Sequence, residues 1–131
     1  MEKIHFEQAK FWVEGAKHVA EYHSESKEKY SVAVAMIIHG IIKANDALSL
    51  KFLATTAKRH DEARRLFEDM IKKNVIKAAY ASYKDILQEA INMKAKAEYR
   101  GSFFSKNDFE DIKRKAEKFL KMTEEYINFN R

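Results

Sequence analysis

Apolar positions along the chain predict helices almost throughout. Near the N-terminus, apolar residues and alanines recur at three- and four-residue steps, the spacing of one helix face. Later segments repeat this spacing, and no segment has the strict alternation of apolar and polar residues that is typical of a strand. The pattern predicts four helices over about 3–24, 30–53, 61–73 and 75–99, followed by a last helix. Ser105 or Asn107 can cap that helix, with Asp108 or Glu110 three residues on completing a capping box.

The second predicted helix differs from the others because apolar residues surround most of its circumference. A helix of that kind belongs at the centre of a bundle or at a subunit interface. The chain contains no proline and only three glycines, so the main helix breakers are missing. We therefore predict an all-α protein, an antiparallel bundle of about five helices with a core like that of a four-helix bundle.

Length and composition narrow the class of protein. A chain of 131 residues fits one domain, which we expect over residues 1–131. The absence of cysteine excludes disulfide frameworks, thiol catalysis and cysteine-based metal sites, and it suits a reducing cytosol. The first residues lack the apolar core of a signal peptide, and no apolar run approaches the roughly 20 residues of a membrane span. We expect a cytoplasmic protein without a membrane partner.

The charge is modestly basic. The formal net charge of +5 comes from 25 Lys and Arg against 20 Asp and Glu, which permits an acidic partner such as RNA. Most of the lysines are mixed with glutamates, as on ordinary solvated helix faces. One face of the last helix is basic, and it either contacts nucleic acid or is simply solvated. This face comprises Lys113, Arg114, Lys118 and Lys121.

A stripe of ionisable side chains runs along the apolar second helix. His39, Lys43 and Asp46 fall at i, i+4 and i+7, so they line one side of the helix. Burying such groups is costly unless they pair with each other or face a cleft. One interpretation is a solvent-facing seam in which Lys43 and Asp46 pair locally. The other is a polar cleft beside Gly40, which a second helix or a nucleotide could approach closely.

His60 lies at the mouth of the third predicted helix, in the segment AKRHDEARRL. Asp61 and Glu62 follow it, and acidic residues suit the positive end of a helix dipole. His60 is therefore either a polar residue at a helix start or a general acid or base. The second role requires a partner within hydrogen-bond reach. The adjacent Arg59 is a poor candidate for that partner, since neighbours in sequence point apart on a helix.

The loop after the fourth predicted helix interleaves aromatic and basic residues. It reads Tyr99-Arg100-Gly-Ser-Phe103-Phe104. Such interleaving suits the stacking of exposed bases together with phosphate contact. Alternatively, Phe103 and Phe104 cover the end of the bundle, and Arg100 is then the better candidate for recognition from solvent. We include Tyr99 and Arg100 among the candidate ligand-binding residues, with His39, Lys43, Asp46 and His60.

We expect no metal and no cofactor. All five histidines lie between His5 and His60, but their spacing does not match known helical metal sites. A di-metal carboxylate bundle requires two Glu-x-x-His pairs, and only Glu2-Lys-Ile-His5 fits that pattern. The sequence also lacks a His-Glu-x-x-His zinc motif and a glycine-rich phosphate loop.

Several segments together resemble the HEPN superfamily of small helical domains. FEQAKFWVEGAKHVAEYHSESKEKYSVAVAMIIHGIIKANDAL is similar to their Trp-bearing first helix, charged turn and apolar second helix. KRHDEARRLF resembles the His-bearing start of their third helix. AEYRGSFFSKNDFEDIKRKAEKFLKMTEEYI resembles their Tyr/Arg loop and last helix. The likeness covers nearly the whole chain.

The resemblance implies a bundle of about five helices that is usually dimeric. Such domains often work beside a minimal nucleotidyltransferase, in toxin–antitoxin or RNA-processing settings. Many active members are metal-independent ribonucleases in which an arginine is followed, after four to six residues, by a histidine. Here the counterpart of that arginine is Arg100, and the positions at that spacing are Ser105, Lys106 and Asn107. None of these side chains can replace an imidazole as a proton shuttle near neutral pH.

Three hypotheses follow for the function. The first is a non-catalytic HEPN-like binding module, a homodimer that binds nucleotide or RNA or joins a nucleotidyltransferase-type partner. The second is a metal-independent, toxin-like ribonuclease with a rearranged site, in which His60 or His39 works with Arg100. The third is a plain protein-interaction or scaffold domain. We favour the first hypothesis because the ribonuclease motif lacks its histidine.

Overall fold

The computed structural model describes residues 1–97 and 103–128 in full, and residues 98–100 as helical backbone. Over these residues the chain forms five α-helices and one short 3₁₀ helix, with no strand. The prediction of an all-α bundle of about five helices is confirmed. The α-helices are α1 (Glu2–Glu21), α2 (Glu28–Leu53), α3 (Glu62–Lys72), α4 (Lys84–Arg100) and α5 (Lys106–Ile127).

α2 is the central helix of the bundle, since it packs against each of the other four α-helices. This position explains why its sequence is apolar around most of its circumference, because nearly every side finds a neighbour to bury it. α2 is also long and apolar enough to cross a membrane by length and composition, with 61% of its most apolar window buried inside the protein. That burial is typical of the core helix of a bundle.

α1 and α2 approach each other closely at Gly40. An added Cβ at this glycine would lie 2.9 Å from Val13 Cγ2 and 3.2 Å from the backbone oxygen of Ala9. The absence of a side chain therefore lets the two helices come together there. Of the two partners that the sequence suggested beside Gly40, a second helix occupies the position, and that helix is α1 of the same chain.

α5 closes the other side of the core. Ser105 and Asp108 form the capping box that the sequence predicted: Ser105 Oγ accepts from the Asp108 backbone at 3.1 Å, and Asp108 Oδ2 accepts from the Ser105 backbone at 2.9 Å. Further along α5, the Phe119 ring packs against Phe67 of α3, with 5.8 Å between centroids. The cap starts the helix at Lys106, in register to bury its apolar face.

The fourth helix starts later than its periodicity predicts. The α-helix begins at Lys84, and residues 78–83 form a 3₁₀ helix where an α-helix from about residue 75 was expected. The reason lies in the turn after α3, where Asn74 adopts a left-handed conformation with φ of 59°. The Lys77 backbone N–H then donates to the Tyr126 hydroxyl at 2.9 Å instead of to a helix carbonyl. A contact with α5 therefore replaces the first α-helical turns that were expected from residue 75.

Candidate functional site

A small cavity lies between α2, the segment before α3, α4 and the segment before α5. Its volume is about 130 Å³. Three nitrogen-bearing side chains line it: His39 from α2, His60 from the α3 entrance and Lys94 from α4. The rest of its described lining is apolar and consists of Ala35, Ile38, Ala97 and Phe104. The fold thus brings together two of the sequence-predicted site residues, His39 and His60, on one concave surface.

Specific hydrogen bonds fix the elements around this cavity. The Asn45 side-chain amide, fully buried on α2, donates to the Ala63 carbonyl in the first turn of α3 at 3.0 Å. Just before that turn, Glu62 Oε1 accepts the Arg59 backbone N–H at 2.9 Å. These two bonds set the position of the chain at His60, between the two anchored points. His60 stands at the mouth of α3, as the sequence predicted, and not within the helix.

The segment before α5, which forms another wall of the cavity, is also fixed by a hydrogen bond. The backbone N–H of Phe104 donates to Ser31 Oγ on α2 at 3.0 Å, and the Phe104 ring is buried. Its neighbour Phe103 remains 50% exposed. Of the two phenylalanines expected to cover the end of the bundle, one does so and forms part of the cavity wall.

The surroundings of His39 disfavour the protonated form of its ring. Burial lowers the pKa of the His39 imidazole, and the positive charges of Lys43, His60 and Lys94 lower it further. On the other side, the ring makes an edge-to-face contact with Trp12 of α1, with centroids 4.5 Å apart. His39 therefore faces the cavity in surroundings that oppose a positive charge on its ring.

Asp46 occupies the far end of the same stripe. It lies seven residues beyond His39, or roughly 10 Å along the helix, and it is not among the side chains lining the cavity. Burial raises the pKa of the Asp46 carboxyl, against the opposing effects of a hydrogen bond from the Ala57 backbone and of His5, Lys43 and His60. Within the described residues, its Oδ1 is buried without a hydrogen-bond partner. A simple local Lys43–Asp46 pair does not account for this environment.

We expect Asp46→Asn to raise the free energy of unfolding at neutral pH. Because burial raises the pKa of Asp46 above its ordinary value, the folded state holds this proton more tightly than the unfolded state. Stability is then lost as pH rises through the folded-state pKa, and the loss persists at neutral pH. Asparagine keeps the shape and an acceptor oxygen but carries no charge. Urea denaturation of both proteins across a pH series measures the difference.

The pH series also supplies the control for that substitution. The advantage of Asp46→Asn should shrink as pH falls and the native carboxyl becomes protonated. A variant that is less stable than the wild type at neutral pH would instead mean that the carboxylate stabilises the fold through its neighbouring histidines and lysine.

Several residues around the candidate site were not predicted from the sequence. Lys94 lines the cavity, Trp12 packs on His39, and His5 acts electrostatically on Asp46. Each of these contacts joins different helices, so no spacing within one helix could have indicated it. Conversely, the side chains of Tyr99 and Arg100 lie outside the described residues.

The described arginine side chains are engaged away from the cavity. Each of them forms an ion pair with a carboxylate close in sequence, and none of them lines the cavity. The pairs are Arg59–Asp61 at 3.5 Å, Arg64–Glu68 at 3.7 Å, Arg65–Glu62 at 3.5 Å and Arg114–Asp111 at 2.7 Å. Among the residues that the structure describes, no group of histidine and acidic side chains is arranged to hold a metal ion.

Neighbouring carboxylates partly neutralise the basic face of α5. Lys113 pairs with Glu110 at 3.0 Å, and Arg114 pairs with Asp111, as given above. Lys118 lies over the Tyr83 ring, 5.8 Å from its centroid. A face whose charges are compensated in this way offers a weaker attraction to phosphates than its lysine count suggests. The arrangement favours a solvated face.

The outer face of α1 exposes large apolar side chains. Ile4, Phe11 and Tyr22 lie along one side of the helix, and Phe11 is 74% exposed. Val32 is exposed at the start of α2. Large apolar side chains exposed on one helix face offer a surface that another molecule could cover.

No protein-family model matches this chain, and its comparison with curated proteins found no similar sequence. The functional interpretation therefore depends on the geometry of the cavity and on the chemistry of its lining.

Proposed function

We propose that this protein is a non-catalytic binding module and that its ligand site is the cavity formed by His39, His60 and Lys94. One observation carries the proposal: side chains from three separate elements converge on one cavity with hydrogen-bonding groups and positive charge. Concave sites with a few convergent polar groups on mostly apolar walls are the usual form of ligand sites. The ligands that this lining favours are nucleotides or RNA, whose phosphates are negatively charged.

The missing motif histidine and the positions of the described arginines favour binding over RNA cleavage. Ribonuclease chemistry without a metal requires a proton-transfer group and a group that stabilises charge on the phosphate, in near contact with the substrate. His39 could move protons only if its lowered pKa still lay near the working pH. The described arginines do not line the cavity and are paired with carboxylates. The HEPN ribonuclease motif, to which the chain was compared, also requires a histidine that is missing at positions 105–107.

The decisive experiment combines binding and cleavage on one probe. A 3′-labelled single-stranded RNA is incubated with the protein in EDTA, and its fluorescence anisotropy and its length are followed together. We expect bound, intact RNA, with affinity reduced about tenfold in His60→Ala, since the loss of one hydrogen bond to a charged group costs about 1.5 kcal/mol. His18→Ala, an exposed histidine on α1, serves as the matched control and should bind like the wild type.

Two results would contradict this proposal. RNA cleavage by the wild type that His60→Ala abolishes would establish the ribonuclease alternative. Equal affinity of the wild type and His60→Ala would remove the cavity from the binding site and favour a plain interaction domain.

The HEPN resemblance also leads us to propose a homodimer, for which the exposed apolar face of α1 supplies a surface. Phe11 is the most exposed side chain of that face, and a second copy would bury it. A nucleotidyltransferase-type partner, a toxin–antitoxin setting and a cytoplasmic location stay predictions of the resemblance and of the composition.

A further inference from the structure

We propose that the group held in the His39–His60–Lys94 cavity is a compact oxyanion, namely a phosphate group. This inference rests on the proposed function and specifies which part of a ligand the site recognises. Its basis is the size of the cavity, the chemistry of its described lining and the electrostatic state of His39.

The size of the cavity restricts its occupant. Cavities that enclose drug-sized ligands measure roughly 300–1,000 Å³. At about 130 Å³, this cavity has the space of roughly four water molecules, at about 30 Å³ each in the liquid. A tetrahedral group of five heavy atoms fits such a space, whereas a whole nucleotide does not. The remainder of a larger ligand would extend beyond the cavity mouth.

The chemistry of the lining indicates the sign of the charge. The polar groups are two imidazoles and one ammonium, all of which can donate hydrogen bonds to an oxyanion. The described lining contains no acidic residue, and Asp46 lies about two helical turns further along α2. The mostly apolar walls make the surroundings less polar than open water, which strengthens the attraction between a bound anion and the lysine.

The state of His39 also favours an anion. In the free protein, burial lowers the pKa of His39, and the charges of Lys43, His60 and Lys94 add to this by repelling a proton on the ring. A bound oxyanion would offset that repulsion and favour a protonated ring that donates to it. Binding would therefore be coupled to proton uptake at His39. A neutral ligand has no comparable effect.

The test follows the histidine ring resonances of the protein by NMR during a titration with inorganic phosphate at constant ionic strength. We expect saturable shifts of His39 and His60, with His18 unchanged. Lys94→Ala should weaken phosphate binding about tenfold, because it removes one charge-assisted hydrogen bond. The matched control is Lys96→Ala, two residues along the same helix and outside this cavity, which should bind phosphate like the wild type.

Further titrations distinguish the source of the phosphate and separate this inference from the proposed function. Adenosine 5′-monophosphate should reproduce the shifts caused by phosphate, while adenosine should not. Shifts with adenosine but not with phosphate would overturn the oxyanion assignment and leave the binding module intact. If neither His39 nor His60 shifts with phosphate, adenosine 5′-monophosphate or adenosine, both the oxyanion assignment and the binding module are contradicted. Equal affinities of Lys94→Ala and the wild type for phosphate would contradict the assignment of the site to this cavity.

Discussion

Phe119→Ala should destabilise the protein by about 3–5 kcal/mol, the usual cost of removing a fully buried phenylalanine. Phe119 is completely inaccessible to solvent. It packs against Phe67 of α3, and its ring lies 6.5 Å from that of Tyr83. The substitution would therefore open a cavity where α5, α3 and the 3₁₀ helix meet. Since small domains are stable by only about 5–15 kcal/mol, this loss is a large share of the total.

Urea denaturation followed by circular dichroism measures the effect of Phe119→Ala. The midpoint should fall with little change in the slope of free energy against urea, because the surface exposed on unfolding is nearly the same. Phe103→Ala is the matched control, since Phe103 is half exposed and should change stability by less than about 0.5 kcal/mol. Equal losses in the two variants would mean that α5 is not packed in the core as described.

Gly40→Ala should destabilise the protein by about 1–3 kcal/mol, although alanine favours helix formation by about 1 kcal/mol over glycine. The added Cβ would lie 3.2 Å from the backbone oxygen of Ala9, an atom that cannot move without shifting α1. It would also lie 2.9 Å from Val13 Cγ2. The two helices would have to separate, and Trp12 would then lose part of its contact with His39.

Gly15→Ala provides the comparison on the facing helix. There the added Cβ would meet only the terminal methyl of Met36, at 2.8 Å, and that flexible side chain can move aside. We expect Gly15→Ala to be neutral or to stabilise the protein by up to about 1 kcal/mol. Thermal unfolding of both variants gives the sign of each change. A stabilising Gly40→Ala would contradict the close approach of α1 and α2.

Local patterns in the sequence predicted the parts of the fold that depend on neighbours along one helix. The all-round apolar character of α2 indicated its central position, and Ser105 with Asp108 indicated the cap of α5. The start of α4 was not predictable in this way. The periodicity from residue 75 onward favours a helix, but the left-handed Asn74 and the bond from Lys77 to Tyr126 redirect the chain. Those contacts depend on where α5 packs.

The candidate site was predictable only where it depends on residues along one helix. The stripe of His39, Lys43 and Asp46 follows from helical spacing alone, and the buried Asn45 beside it anchors α3. Lys94 joins His39 only because α4 packs against α2, and Trp12 joins it only because Gly40 admits α1. A pattern within one helix carries no information about such contacts.

The ionisable stripe of His39, Lys43 and Asp46 on α2 affects the stability of the fold as well as the chemistry of the surface. Burial opposes the charged form of Asp46, so keeping this carboxyl on the central helix costs free energy of folding at neutral pH. His39 lines the cavity, and a perturbed ionisable group in such a position is typical of binding and catalytic sites.

The most direct measurement of the central claim is the titration midpoint of His39 in the folded protein, with and without phosphate. NMR of the ring protons across a pH series gives this midpoint. We expect this midpoint to lie below that of the same histidine in urea, which should be near the ordinary value of about 6.5, and to rise when phosphate is present. A midpoint that equals the value in urea and does not move with phosphate would contradict a cationic, ligand-binding cavity at His39.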